Sequence, residues 1–339
     1  MSHGIENELR DFVLANSDER DWHKLTRKQI GLNPAIHFPK VEARPLHYMG
    51  VDGASRWSGS HQLIALDDDL PCGGAFNLET FGFILPQKAW ESVQSALSGS
   101  RYSVERIGML KNRSFWFVSL HLDELQAVAP IGHKYQLNFS GGLDGQTSPQ
   151  GELNDIRAVC WNTISLSRAS GRKLFQVKQT KFSRTKLITA EQEIESAVGM
   201  ARLFNIQMET LGNQPVTTEK AREVYAGEIV NAGGDLRERA LKSGEVTRGR
   251  AGNTVETLVE LFSRGDGNKG ESRLDVLNGF TQLFTRGDGD SKKDTWQAVS
   301  SSEFGGNANR KAQFLATLAS NDGFETLAEI GRNALAMAN

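Results

Sequence analysis

The sequence predicts an α+β protein, with a β-rich first half containing a packed central helix and a mainly helical second half. Three observations predict it. From about residue 41 to 140, short apolar or alternating runs are separated by turn residues, which is the two-residue pattern of strands. From about Thr189 onward, apolar residues recur every three to four positions, as in helices that face a core. Between these regions, Ile156, Val159, Thr163 and Leu166 recur at helical spacing in DIRAVCWNTISLSRASG.

In chain order, residues 1–40 are polar, with a basic cluster at Lys24, Arg27 and Lys28. Pro34 and Pro39 discourage a long helix, so this stretch reads as an N-terminal arm. The strand runs are HQLIALDDD, FNLETFGFIL, RYSVERIGML, RSFWFVSLHL and KYQLNFSGG. One helix interrupts them: PQKAWESVQSALSG starts at Pro86, where a first-turn proline is tolerated, and stops at Gly99. SVERIGML and SFWFVSLHL, joined by Lys111, Asn112 and Arg113, form a hairpin with a basic tip. That tip is either a phosphate contact or a charged guard that keeps the sheet edge from pairing with other chains.

SGGLDGQTSPQGELN reads as a mobile loop or turn leading to a helix that begins near Asp155. After Gly171, KLFQVKQTKFSRTKL alternates as a basic strand. The helical half comprises AEQEIESAVGMARLFNIQMETLG, TEKAREVYAGEIVNAGG, NTVETLVELF, RLDVLNGFTQLF and ANRKAQFLATLAS, with Thr217, Thr218 and Glu219 supplying cap chemistry. The expected organisation is an arm (1–40), an α+β core that binds nucleic acid (41–188) and a helical region (189–339).

The 339 residues are 38 % hydrophobic and 24 % charged, and no apolar run approaches the roughly 18–20 residues that cross a bilayer. The N-terminus lacks an apolar secretory core, and Cys72 and Cys160 are too few for a disulfide framework. A cytoplasmic setting and no membrane partner are expected.

Charge is segregated. With 39 basic and 41 acidic residues the net charge is −2, yet 157–186 holds eight Lys/Arg and no acid: Arg157, Arg168, Arg172, Lys173, Lys178, Lys181, Arg184 and Lys186. Trp161, Phe175 and Phe182 are interleaved. Cations neutralise phosphates by releasing counterions, and aromatic faces stack on unpaired bases. The candidate nucleic-acid contacts are therefore these eight cations, Trp161 and Phe175, with Lys111 and Arg113 on the hairpin tip. The competing reading is a solvated basic surface.

Other chemistry has weaker support. Gly265, Gly267 and Gly270 have GxGxxG spacing but follow a helical run, so the dinucleotide geometry fails. The loop is echoed at Arg286–Asp290; Asp266, Asn268, Asp288 and Asp290 lack the remaining ligands of a calcium loop, and both stretches read as helix termini. Asp67, Asp68 and Asp69 either mark a turn or hold Mg²⁺ for phosphodiester chemistry. There is no HExxH, GxxxxGK or GxSxG, and Cys160 reads as a core thiol, so no cofactor, resident metal or catalytic residue is expected.

The segment 155–171, preceded by GGLDGQTSPQGE, resembles the phage/plasmid-like proteins grouped as domain of unknown function 932. Their Arg-Val-Cys-x-Asn-Thr motif is matched by Arg157, Val159, Cys160, Asn162 and Thr163, with Ala158 inserted. The resemblance continues through LDVLNGFTQLF and the Lys/Arg helix NANRKAQ, and spans roughly 40–330; the two RGDG loops depart from it. It implies a mobile-element setting alongside replication, repair and antirestriction genes. More remotely, the fold order is similar to RecT/Redβ/Erf-type single-strand annealing recombinases, which would place Arg157, Trp161, Arg168, Arg172, Lys173 and Lys178 along an oligomeric groove.

The expected function is ATP-independent binding and annealing of single-stranded DNA in phage or plasmid recombination, by a homo-oligomer that could engage a single-strand-binding protein or nuclease of host or phage. Two alternatives stay open. One is a mobile-element interaction protein, for antirestriction or host takeover, that binds RNA or protein; the other is a metal-dependent nuclease using Asp67–Asp69.

Overall fold

A computed structural model describes residues 38, 40–66, 68–79, 82, 84–97, 99–110, 114–130, 133–143, 147–157, 163–170, 174–176, 190–232, 249–286 and 300–337. The fold is α+β, as expected. The chain divides into two compact units, one drawn from 1–128, 135–154 and 173–199 and the other from 129–134, 155–172 and 200–339.

The first unit opens with an antiparallel sheet of order β1-β2-β3, formed by β1 (Val41–Met49), β2 (Ser55–Ala65) and β3 (Pro71–Phe76). Gly53 closes the first turn at φ 73, a left-handed angle that a residue with a Cβ adopts at a cost. The helix expected at Pro86 is α1 (Pro86–Ala96), which buries Ala89, Trp90 and Val93 and sets Trp90 edge-on to Tyr102 at 6.2 Å.

A six-stranded sheet follows, built from β4 (Tyr102–Leu110), β5 (Phe115–Leu122), β6 (His133–Gly142), β7 (Gln150–Arg157) and β8 (Thr163–Ser165) in that order, with β9 (Phe175–Gln176) antiparallel to β7. A four-residue helix, α2 (Asp123–Gln126), follows β5. The β4–β5 hairpin pairs Leu110 with Phe115; its basic tip lies outside the described residues. Gly141 passes beneath Trp116, where a Cβ would come within 2.8 Å of the indole.

The second unit, which also takes in β8, the end of β7 and the start of β6, is otherwise helical. After α3 (Leu166–Ala169) come α4 (Ala190–Gly212), whose first ten residues count with the first unit, then α5 (Thr218–Ala232), α6 (Gly249–Arg264) and α7 (Arg273–Arg286). A π-helical turn at Ser300–Phe304 precedes α8 (Gly306–Ala319) and α9 (Asn321–Ala336). Thr217 caps α5 by accepting the Lys220 N–H, and α6 stops at Arg264, just before the first RGDG glycine. Ser272 and Asp275 form a reciprocal capping box at the start of α7. At the α5–α9 crossing the backbones touch: a Cβ on Gly331 would lie 1.8 Å from the Glu223 carbonyl oxygen, and one on Gly227 1.9 Å from that of Leu327.

Three local expectations are corrected. The helix expected from Asp155 is the end of β7 followed, after five undescribed residues, by β8 and a single helical turn. Its apolar spacing misled because β7 is buried on both faces, which erases the two-residue alternation. The loop or turn expected over SGGLDGQTSPQGELN is confined to its middle: β6 continues to Gly142 and β7 begins at Gln150. Among its described residues FNLETFGFIL contributes only Phe76 to a strand, because Asn77 turns the chain by accepting the Glu79 N–H at 2.8 Å.

Candidate functional site

Arg168 is the one sequence-selected contact whose side chain is described. It sits on α3, capped by Ser165, and its Nη1 donates to Asn309 Oδ1 on α8 at 2.6 Å. It is therefore at least partly engaged in holding the family motif's last turn to a helix of the same unit. Arg157 ends β7 and Phe175 starts β9, opposite Gly151; only their backbone is described. Lys111, Arg113, Trp161, Arg172, Lys173, Lys178, Lys181, Arg184 and Lys186 lie outside the described residues. What the fold does supply is anchorage: the basic segment leaves the sheet at the end of β7, returns to it as β8, and pairs with the start of β7 through β9.

The six-stranded sheet itself holds a polar cluster that sequence reading missed. Val118 pairs with Phe139 and Leu120 with Leu137, whereas the alternate positions pair Arg106 with Ser119 and Ser119 with Asn138. One face is thus apolar and the other polar. A β-bulge between Val104 and Arg106 brings two successive residues onto Gln136: Arg106 Nη2 donates to its Oε1, and its Nε2 donates to Glu105 Oε2 at 2.9 Å. On β7, Gln150 Nε2 donates to Glu152 Oε1. His133 lies against Asp155 at 3.0 Å, so the odd positions of β6 and β7 share a face and the even ones, including Glu152 and Asn154, share the polar face.

All of this polar face is buried. Asn138 and Asn154 are 1 % and 0 % exposed, yet neither carboxamide oxygen nor nitrogen has a hydrogen-bond partner, and Ser119 Oγ is likewise unpartnered. The signal was available in KYQLNFS, where Gln136, Asn138 and Ser140 alternate with Tyr135, Leu137 and Phe139. That pattern reads as a solvent face until the fold shows it buried.

A second buried cluster sits in the helical unit. Lys311 on α8 is fully enclosed and donates to Thr285 Oγ1 at 3.0 Å and Ser302 Oγ at 2.8 Å, tying α8 to α7 and the π-helical turn. Burial brings its pKa down from 10.5 to about 7; the nearby Glu303 carboxylate opposes that shift and Arg168 adds to it.

Asp68 and Asp69 form the β2–β3 turn. Asp68 accepts the Leu70 N–H, Asp69 stands at φ 61, and the Asp69 carboxylate takes the Arg44 guanidinium. Asp67 lies outside the described residues, and among the described ones no three His, Cys, Asp or Glu side chains gather as a metal site. No described helix is long and apolar enough to cross a membrane.

A family model described as "Domain of unknown function (DUF932)" matches residues 78–303. No curated protein and no solved structure matches the chain.

Proposed function

The chain belongs to the DUF932 family, whose description carries no activity, and from the residues themselves we propose that it binds single-stranded DNA and promotes annealing without ATP, as a homo-oligomer serving recombination of a phage or plasmid. The observation that carries this reading is the 157–186 stretch, with eight Lys/Arg, no acid and three interleaved aromatics in a chain of net charge −2. Phosphate neutralisation provides most of the affinity and stacking holds bases apart for pairing. The place of Arg157 at the end of β7 and the pairing of Phe175 and Gln176 with the start of that strand support it, because cations close to an ordered strand lose less freedom on binding than cations on a free tail. The central helix on which the likeness to annealing recombinases was drawn is replaced by β7 and β8, so their groove geometry forms no part of the proposal.

The test is fluorescence anisotropy of a labelled single strand and of the matching duplex at low and moderate salt, without metal or ATP. Tight, salt-sensitive preference for the single strand is expected. Reversing charge at Arg172, Lys173 and Lys178 together should lower affinity at least about a hundredfold and flatten its salt dependence. Unchanged affinity in that variant, or no binding by the native protein, overturns the reading.

A further inference from the structure

The first unit carries a β-ribbon ahead of the family match, which starts at residue 78. β1 and the first part of β2 pair antiparallel, with Tyr48 opposite Arg56, His47 opposite Trp57 and Met49 opposite Ser55. The two-residue period puts His47, Met49, Ser55 and Trp57 on one face and Tyr48 and Arg56 on the other. Trp57 is 57 % exposed and Tyr48 53 %, and Val51 at the tip is wholly exposed. Large aromatics this open on a narrow ribbon mark a contact surface.

The chemistry around the rings selects the partner. Each ring has a nitrogen side chain directly across the strand pair, and His61 lies edge-on to Trp57 at 6.1 Å. Over residues 40–70 Lys40, Arg44 and Arg56 are outnumbered by Glu42, Asp52, Asp67, Asp68 and Asp69, so it is the rings and the arginines beside them, rather than a positive surface, that suit a base and its phosphate. Arg56 is paired with Asp52, and Arg44 with Glu42 and Asp69, but these pairs are open to solvent and readily exchanged for another anion. A protein partner docking by apolar contact would find only Met49 and Val51 as exposed aliphatic side chains on the ribbon.

We propose that this ribbon is a stacking platform for unpaired bases, with Trp57 and Tyr48 each taking a base on opposite faces while Arg56 and Arg44 turn to the flanking phosphates. The inference rests on the single-strand reading above and adds a site separate from the basic stretch. It supplies ring faces where the basic stretch supplies charge, so the two contributions respond differently to salt.

The experiment uses the full chain with Trp57→Ala, Trp57→Phe and Tyr48→Ala, a labelled oligothymidylate, and a base-free deoxyribose-phosphate strand of the same length. Trp57→Ala should weaken oligothymidylate binding about tenfold or more with an unchanged salt slope, Trp57→Phe should retain most of the affinity, and Tyr48→Ala should fall between them. All variants should bind the base-free strand as the native protein does. Equal affinity of native protein and Trp57→Ala for oligothymidylate overturns the platform and leaves the basic stretch standing, whereas a native protein that binds neither strand overturns both. A Trp57→Ala protein with native DNA affinity but altered oligomeric mass, read by light scattering, assigns the ribbon to a second copy of the chain instead.

Discussion

In the helical unit, several deeply buried polar side chains close on neighbours. Lys311 reaches Thr285 and Ser302, Tyr225 donates to the Val276 carbonyl at 2.8 Å, and Asp275 accepts backbone N–H groups from Lys269, Glu271 and Ser272. In the six-stranded sheet, the side chains of Ser119, Asn138 and Asn154 are buried as deeply without a hydrogen-bond partner among the described residues. A buried polar group without a partner costs about 1–3 kcal/mol, so the sheet carries a burden that its own stability does not explain. Lys311, Tyr225 and Asp275 use polarity to fix geometry; on the sheet, Arg106, Gln136 and Glu105 do the same, whereas Ser119, Asn138 and Asn154 hold polarity in reserve.

The largest effect expected from that contrast lies in the helical unit, whose α5–α9 crossing leaves no space. Gly331→Ala would drive a methyl into the Glu223 carbonyl and should destabilise this unit by about 3 kcal/mol or more, since backbone cannot yield as a flexible side chain can. Hydrogen exchange resolved along the chain should show lost protection in α5 and α9 and little change in β4–β6. Gly199→Ala, an exposed position on α4 with open space around it, is the control and should stabilise by roughly 0.5–1 kcal/mol. Equal behaviour of the two variants would mean that the crossing is loose.

The next effect is a pH dependence that belongs to Lys311. Its pKa is about 7 when folded against 10.5 in an unfolded chain, so between those values the unfolded state binds more protons and stability rises with pH. The rise is on the order of a few kcal/mol across the window. Above about 10 the sign reverses, because burial pushes the Tyr225 hydroxyl well above its usual 10.0 and the unfolded chain ionises first. Lys311→Met should flatten the rising limb while leaving the fall above 10. Denaturant midpoints at several pH values between 7 and 10 check this, and a native slope surviving in Lys311→Met would show that another group carries it.

Legibility in the sequence followed the same divide. Helices with one buried face announce themselves by period: α4 spans the very run read from apolar spacing, Ala190 to Gly212. β4, β5 and β6 were visible as apolar runs bounded by turn residues. β7 was not, because Gln150, Glu152 and Asn154 are polar yet buried, so no solvent face alternates with a core face. β1 failed from the opposite cause: largely exposed, it has little apolar pattern to read. The candidate contacts were found as charge, which is written locally, whereas the Arg106–Gln136–Glu105 cluster arises from a bulge and a strand pairing distant in sequence.

The smallest effect asks what the reserved polarity is for. Asn138→Leu replaces a carboxamide with two unpartnered atoms by an apolar group of similar volume opposite Ser119. If that carboxamide has no use, the fold should gain about 1 kcal/mol, because a desolvation penalty disappears and apolar burial takes its place. If it makes hydrogen bonds to ordered water or to a bound group, the substitution should instead destabilise or leave stability unchanged, since the partner is lost with it. We expect the gain in stability, measured by denaturant unfolding, without loss of the Arg106–Gln136 contact. Pairing that measurement with single-strand affinity separates the uses: a stabler protein that binds as before confines DNA binding to the basic stretch and the ribbon, whereas a stabler protein with weakened binding shows that the buried polar face positions the residues that meet the strand.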